Sequence, residues 1–574
     1  MRRKALWGLA VLPILAAYSG LAVYASKTTA GAASFSKQIS RDDRVLQALN
    51  RLTFGPRPGD AAQVKAMGLK KWIDLQLDPH RIPENPVLLE KLKPLDTLGM
   101  SSGELVRNYP APQIVRQMVA GQIPFPTDPG RRLLIEKLAK RAEAKQGDGA
   151  PPPNAPNPQA LAALLTPQEI RALRTGTPQD RLAALVAMPR DKQDEVIGAL
   201  PQQLRQALFA AAPPDLRRRI ELTGGPAQVV ARDLQESKIL RAVYSNRQLD
   251  EVLADFWFNH FNVFMDKGAD RYLTTEFERD AIRPHVLGKF RDLLEATAKS
   301  PAMLFYLDNW QSVGPNAPQP LRGGANAQRR GLNENYGREL LELHTLGVDG
   351  GYTQKDVTEV ARCFTGWSID RPQQGGTFRF APRLHDNGEK IVLGVKILAG
   401  GGESDGEKVL GIVAHRPSTA HFISKELAQR FVADDPPPAL VDRMAQTFLK
   451  TDGDLRAVME TMLESKEFWS EGAFRSKIKS PFEVVVSAVR ASNANVDFAT
   501  ALVNQVAQLG EPLYRKVEPT GYSNSSREWL NTAGLMARMN FALQLAGNKV
   551  PGVKLDQSAG ATDTTLGSPE FQKR

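Results

Sequence analysis

Asn246-Arg-Gln-Leu-Asp-Glu-Val-Leu-Ala-Asp-Phe-Trp-Phe-Asn-His-Phe-Asn-Val-Phe264 places Leu249, Val252, Leu253, Phe256, His260 and Phe264 on one face. That spacing is the 3.6-residue period of an amphipathic helix, too long for a strand. The same period runs outward in both directions. Val45, Leu46, Leu49 and Leu52 form a stripe, Phe54-Gly-Pro-Arg-Pro-Gly59 breaks it, and Val64, Met67, Leu69, Trp72 and Leu75 form the next. Asn333–Leu346 reads as another helix, with Gly347 placed to end it. Strand signals occur in one place. Thr377-Phe-Arg-Phe380 alternates, Ile391–Ile397 is β-branched, and Asn387-Gly388 lies between them, the pattern of a hairpin. The fold class predicted is therefore mainly α, a large helical domain with one small β-hairpin element and an inserted array of short helices.

The insertion is read from proline. Gln146–Pro158 is a Pro-rich linker, and prolines recur at 167, 178, 189, 201 and 213–214. Proline suits the first turn of a helix and disrupts later turns, so each one opens a new helix. Thr166-Pro-Gln-Glu169 has the form of a capping box. Residues 160–222 thus read as four or five helices of about two turns each. The organisation expected is 1–36 signal peptide or membrane anchor, 37–145 the first helical part, and 146–222 linker and array. The main helical domain takes 223–548, with the hairpin near 377–397, and 549–574 form a loosely held tail.

Composition bounds the function. The chain has 574 residues, 42% hydrophobic and 24% charged, ordinary values for a globular protein. The net charge of +11 is dispersed among acids, without the basic stripe of a nucleic-acid protein. At the N-terminus Arg2-Arg3-Lys4 precedes an apolar run from Ala5 to Ala25, and Val23-Tyr24-Ala25 suits signal-peptidase cleavage. The run is also long enough to anchor the chain. Either outcome predicts export to the periplasm or cell envelope, with membrane contact only through this segment. Cys363 is the sole cysteine, so no intramolecular disulfide forms.

Long literal runs resemble one bacterial family, domain of unknown function 1800. They are Leu49-Asn-Arg-Leu-Thr-Phe-Gly-Pro56, Phe256-Trp-Phe-Asn-His-Phe-Asn-Val263, Asn333–Gly347, Ala361-Arg-Cys-Phe-Thr-Gly-Trp367, His385-Asp-Asn-Gly-Glu-Lys390, Thr520-Gly-Tyr522 and Gly567-Ser-Pro-Glu-Phe571. The resemblance implies an exported, largely helical protein and carries no catalytic residue with it.

Chemistry is therefore sought in the residues alone. Gly99-Met-Ser-Ser-Gly103 fits G-x-S-x-G but lacks the strand a nucleophile elbow needs. No H-E-x-x-H, E-x-x-H or paired cysteine occurs, so no metal is named. Glu339 and Glu342, three apart on a helix, can share a proton or cation, while Glu334, Arg338 and Glu342 can form an ion-pair ladder. His344 stands roughly 200° round the helix from Glu342. His260 lies on an apolar face, and His385 precedes the Asn-Gly turn. Two readings follow. One is a non-enzymatic envelope protein that binds or scaffolds a partner protein or surface polymer. The other is a periplasmic enzyme, metal-assisted hydrolase or oxidoreductase, using His260, Glu339, Glu342 and His385. Convergence of these four side chains in one concave pocket would favour the second. The cofactor, if any, is not specified.

Overall fold

Pro226–Tyr244 is buried on nearly every side, because its apolar residues are not confined to one stripe. Gln248–His260 follows it and packs against Arg41–Leu52, Leu69–Gln76 and Phe277–Ile282. Trp257 at its centre is fully buried, with its indole N–H donating to the Val286 carbonyl. The computed structural model describes residues 33–144, 158–315, 317, 331–555 and 563–574. The N-terminal segment to residue 32 and most of the Pro-rich linker lie outside them. Among the described residues no helix is long and apolar enough to cross a membrane.

The fold is mainly α. One large core takes residues from Ile39 to Leu566, and a smaller one joins Leu105–Ala139 to Tyr272 and the start of Pro226–Tyr244. A third core belongs to the inserted array, from Leu161 to Ile220. Six short helices build the array: Pro158–Leu164, Pro167–Thr175, Pro178–Val186, Arg190–Ala199, Gln202–Ala211 and Pro214–Gly224. Thr166 with Glu169, and Thr177 with Asp180, close capping boxes. Pro189, Pro201 and Pro213 take the cap position instead, one residue earlier than the first helical turn. The array is tied to the body by Arg218, which bonds the fully buried Asp233 and reaches Asp96.

Strand pairing departs from the sequence reading. Phe378–Phe380 turns back onto Trp367–Ile369, and Lys390–Val392 pairs with Val395–Ile397. The hairpin turn is Leu393-Gly394, both at positive φ, and not Asn387-Gly388. The cause is Asp386. Its carboxylate is buried against Arg362 and accepts the Gly388 N–H, so the Asn-Gly corner is held as a side-chain-closed turn. A third pair, Asn495–Val496 with Val553–Lys554, joins residues whose run is too short to show alternation.

Two other expectations are corrected. Asn335–Glu339 is α-helical, but Leu340–Thr345 opens into a π-helix, with the Leu346 N–H donating five residues back to Leu341. The tail is not loose at its end. Ile478 bridges Lys573, Arg574 and Lys477 exchange backbone bonds, and Gln572 and Arg574 are buried. Polar composition hid this: besides Leu566, which joins the core, the end is held by the buried pair of Arg574 with Glu483.

Candidate functional site

His260 ends its helix inside a ring of aromatics, with ring centroids 4.6 Å from Phe261, 5.4 Å from Trp257 and 6.3 Å from Phe256. Its Nε2 lies 3.2 Å from the His344 carbonyl, so Nε2 carries the proton and donates. The two imidazoles are 6.2 Å apart, and Nε2 of His344 is buried with no hydrogen-bond partner. Burial pushes His260 down to about 4. Burial and the neighbouring His260 push His344 down to about 3. Both rings are therefore neutral at pH 7.

Glu339, the last residue of the α-helical turn, and Glu342, within the π-helical segment, lie half-buried. Burial first, then the Glu342 charge, raises the Glu339 carboxyl, with Arg338 opposing. Glu342 accepts from the Tyr352 hydroxyl at 3.3 Å, and Arg338 pairs with Glu334 at 3.5 Å, so the expected ladder forms at one step only. Among the described residues no hydrogen bond or ion pair joins either glutamate to either histidine.

His385 stands in a separate buried cluster. Its Nδ1 donates to the Thr365 carbonyl at 2.7 Å, and Nε2 is 3.3 Å from Asp405. Lys390, also fully buried, reaches Asp405 at 2.8 Å and donates to the Asp386 carbonyl. The structure thus brings His260 beside His344 and Glu339 beside Glu342, and sets His385 among different partners. Cys363 is buried, which pushes its thiol up to about 12 and away from reactivity. Ser101 caps Ser102–Asn108 in a capping box with Glu104 and forms no nucleophile elbow. Among the described residues no three His, Cys, Asp or Glu side chains stand in a metal-holding arrangement.

Several of the quoted runs meet elsewhere. Asn259 clamps Tyr522 from both sides, donating to its carbonyl at 2.7 Å and accepting its N–H at 2.6 Å. Asn262 holds the same loop through the Lys516 and Glu518 carbonyls. Gly521 between them has φ +66°, and a Cβ there would stand 2.2 Å from the Asn259 carbonyl, so only glycine fits. Behind the clamp lies a cavity of about 50 Å³ lined by Lys238, Asp255, Arg430, Lys477, Glu483 and Arg574 among others. Glu483 takes Arg430 at 2.8 Å and Arg574 at 2.5 Å, and these guanidiniums, against the burial, hold it down to about 2. Burial pushes Lys479 down to about 7 and Lys477 to about 8.

These runs lie inside one family match. A family model described as protein of unknown function (DUF1800) matches residues 47–571. The chain belongs to that family. No curated protein and no solved structure matches it. In this DUF1800 chain the matched residues span the array as well as the body.

The array and the body enclose between them a groove of about 860 Å³. Gln202–Ala211 and the end of Pro214–Gly224 supply one wall; Pro226–Tyr244, Thr500–Gln508 and the segments around Asp266 and Arg515 supply the other. Phe209 meets Phe498 edge-on at 5.6 Å, and Arg217 covers the Phe498 ring at 4.2 Å. The sequence reading missed this groove. Its only signal was the run of glutamines and arginines in the array, which also suits a solvated surface.

Proposed function

We propose that this chain is an exported envelope protein that acts by binding a partner or surface polymer, with the groove between array and body as its binding surface. The observation that carries the reading is the distribution of polar groups. His260, His344, His385 and Cys363 are buried and mostly tied to neighbours, whereas the groove presents unpartnered amides and a guanidinium to solvent. A ligand site is concave and offers a few unengaged polar groups, and the groove has the volume of one. Export rests on Arg2-Arg3-Lys4 and the apolar run to Ala25.

Cell fractionation tests this reading, followed by mixing the purified chain with the polysaccharide fraction of the envelope. The expected result is a protein outside the cytoplasm that the polymer retains. A full-length soluble cytoplasmic pool would end the export reading, and free passage past the polymer would count against polymer binding.

A second reading has one observation in its favour. Burial first, then the Glu342 charge, raises the Glu339 carboxyl, the direction a general acid needs. That reading expects ligand contacts at residues 334–346 and not in the groove.

A further inference from the structure

We propose that the groove binds an extended carboxylated oligosaccharide, a uronic-acid polymer, with Arg205 as the carboxylate-binding residue. This rests on the reading of the groove as a binding surface and adds the ligand's chemistry.

Charge comes first. Four guanidiniums line the groove, those of Arg205, Arg232, Arg271 and Arg515, against two carboxylates, Glu221 and Asp266. Both carboxylates are taken. Glu221 pairs with Arg232 at 2.6 Å, and Asp266 pairs with Arg271 at 3.2 Å and Arg515 at 2.7 Å. Arg205 has no hydrogen-bond or ion-pair partner among the described residues. It is half-buried, and burial alone pushes it down, with no acid opposing. A half-buried guanidinium with five free donors in a net-positive cleft is matched by a carboxylate, which it can hold bidentately.

The neutral groups narrow the class. Gln202, Gln206, Gln228 and Asn504 are exposed in the groove, and their amides bond nothing in the protein. An amide both donates and accepts, and so does each hydroxyl of a sugar, whereas an acidic peptide side chain only accepts. Nucleic acid fits less well. Single-stranded bases need open aromatic faces to stack on. Here Phe209 and Phe498 pack on each other and are covered by Arg232 at 5.5 Å and Arg217 at 4.2 Å.

The test measures binding of oligogalacturonate to the full chain by calorimetry, with maltooligosaccharide and polyglutamate as comparisons. Oligogalacturonate should bind, the neutral sugar should not, and polyglutamate should bind distinctly more weakly. Arg205→Gln should weaken oligogalacturonate binding about tenfold, the scale of one charge-assisted contact. Its thermal midpoint should match the parent, since Arg205 has no partner to lose. Unchanged oligogalacturonate binding by Arg205→Gln overturns the site. Equal binding of polyglutamate and oligogalacturonate, both weakened by Arg205→Gln, overturns the ligand class and leaves the groove as a binding surface. Failure of oligogalacturonate to bind overturns the proposal, while the groove reading then stands or falls on protection by envelope polymer.

Discussion

Glu483→Gln should destabilise the protein by about 3–5 kcal/mol, measured as the shift in urea unfolding at pH 7. The carboxylate is buried, with Arg430 and Arg574 as direct partners and the buried Lys479 nearby. Removing it leaves those cations facing one another without compensation, which costs far more than the pair gains over an apolar replacement. Exposed pairs provide the contrast. Lys70 and Asp74 are 3.1 Å apart on the surface, and Asp74→Asn should cost less than about 1 kcal/mol. The acid side has a definite sign. Glu483 is held down to about 2 in the folded chain, below its ordinary value of about 4.3. Its contribution is therefore fully present above about pH 4.3 and is lost as pH falls toward 2.

The histidine pair should make stability fall on acidification with a slope approaching about 2.7 kcal/mol per pH unit near pH 5, and by about 4–5 kcal/mol in all between pH 6 and 4. His260 is pushed to about 4 and His344 to about 3, both below the ordinary 6.5. Near pH 5 the unfolded chain binds nearly two protons that the folded chain refuses, and toward pH 4 His260 begins to take up its own. Stability is thus fully present above pH 6.5 and declines as pH is lowered. Buried acids act with the opposite sign. Glu236 and Glu511 are raised to about 7 and Asp250 to about 6, chiefly by burial, so they stabilise the fold as pH falls. The histidine effect is isolated by comparing the parent with His260→Phe/His344→Phe, which keeps the aromatic packing. The difference between the two unfolding curves should carry a slope approaching about 2.7 kcal/mol per pH unit near pH 5. A flat difference would mean the imidazoles titrate normally.

The helices were legible in the sequence because each buries one face, and the stripe at Leu249, Val252, Leu253 and Phe256 can serve no other element. Proline positions revealed the array for the same local reason. The π-helical turn at Leu340–Thr345 was not legible, since one extra residue in a turn leaves the apolar order unchanged. Leu393-Gly394 and Asn387-Gly388 both carry turn residues, and the choice between them was made by Arg362, more than twenty residues away in the chain. The candidate residues divide along this line. His260, Glu339, Glu342 and His385 were visible as unusual types in quoted runs, but their surroundings come from distant elements. Arg430, Glu483 and Arg574 meet over long separations with no periodic trace. The groove exists only where the array faces the body, so neither one's sequence announces it.

Hydrogen–deuterium exchange of the full chain, with and without envelope polysaccharide, tests the central claim most directly. Protection is expected in residues 202–210, 228–235 and 498–504, the walls of the groove. Protection centred instead on 256–264 and 334–346, around His260, Glu339 and Glu342, or no protection at all, would contradict it.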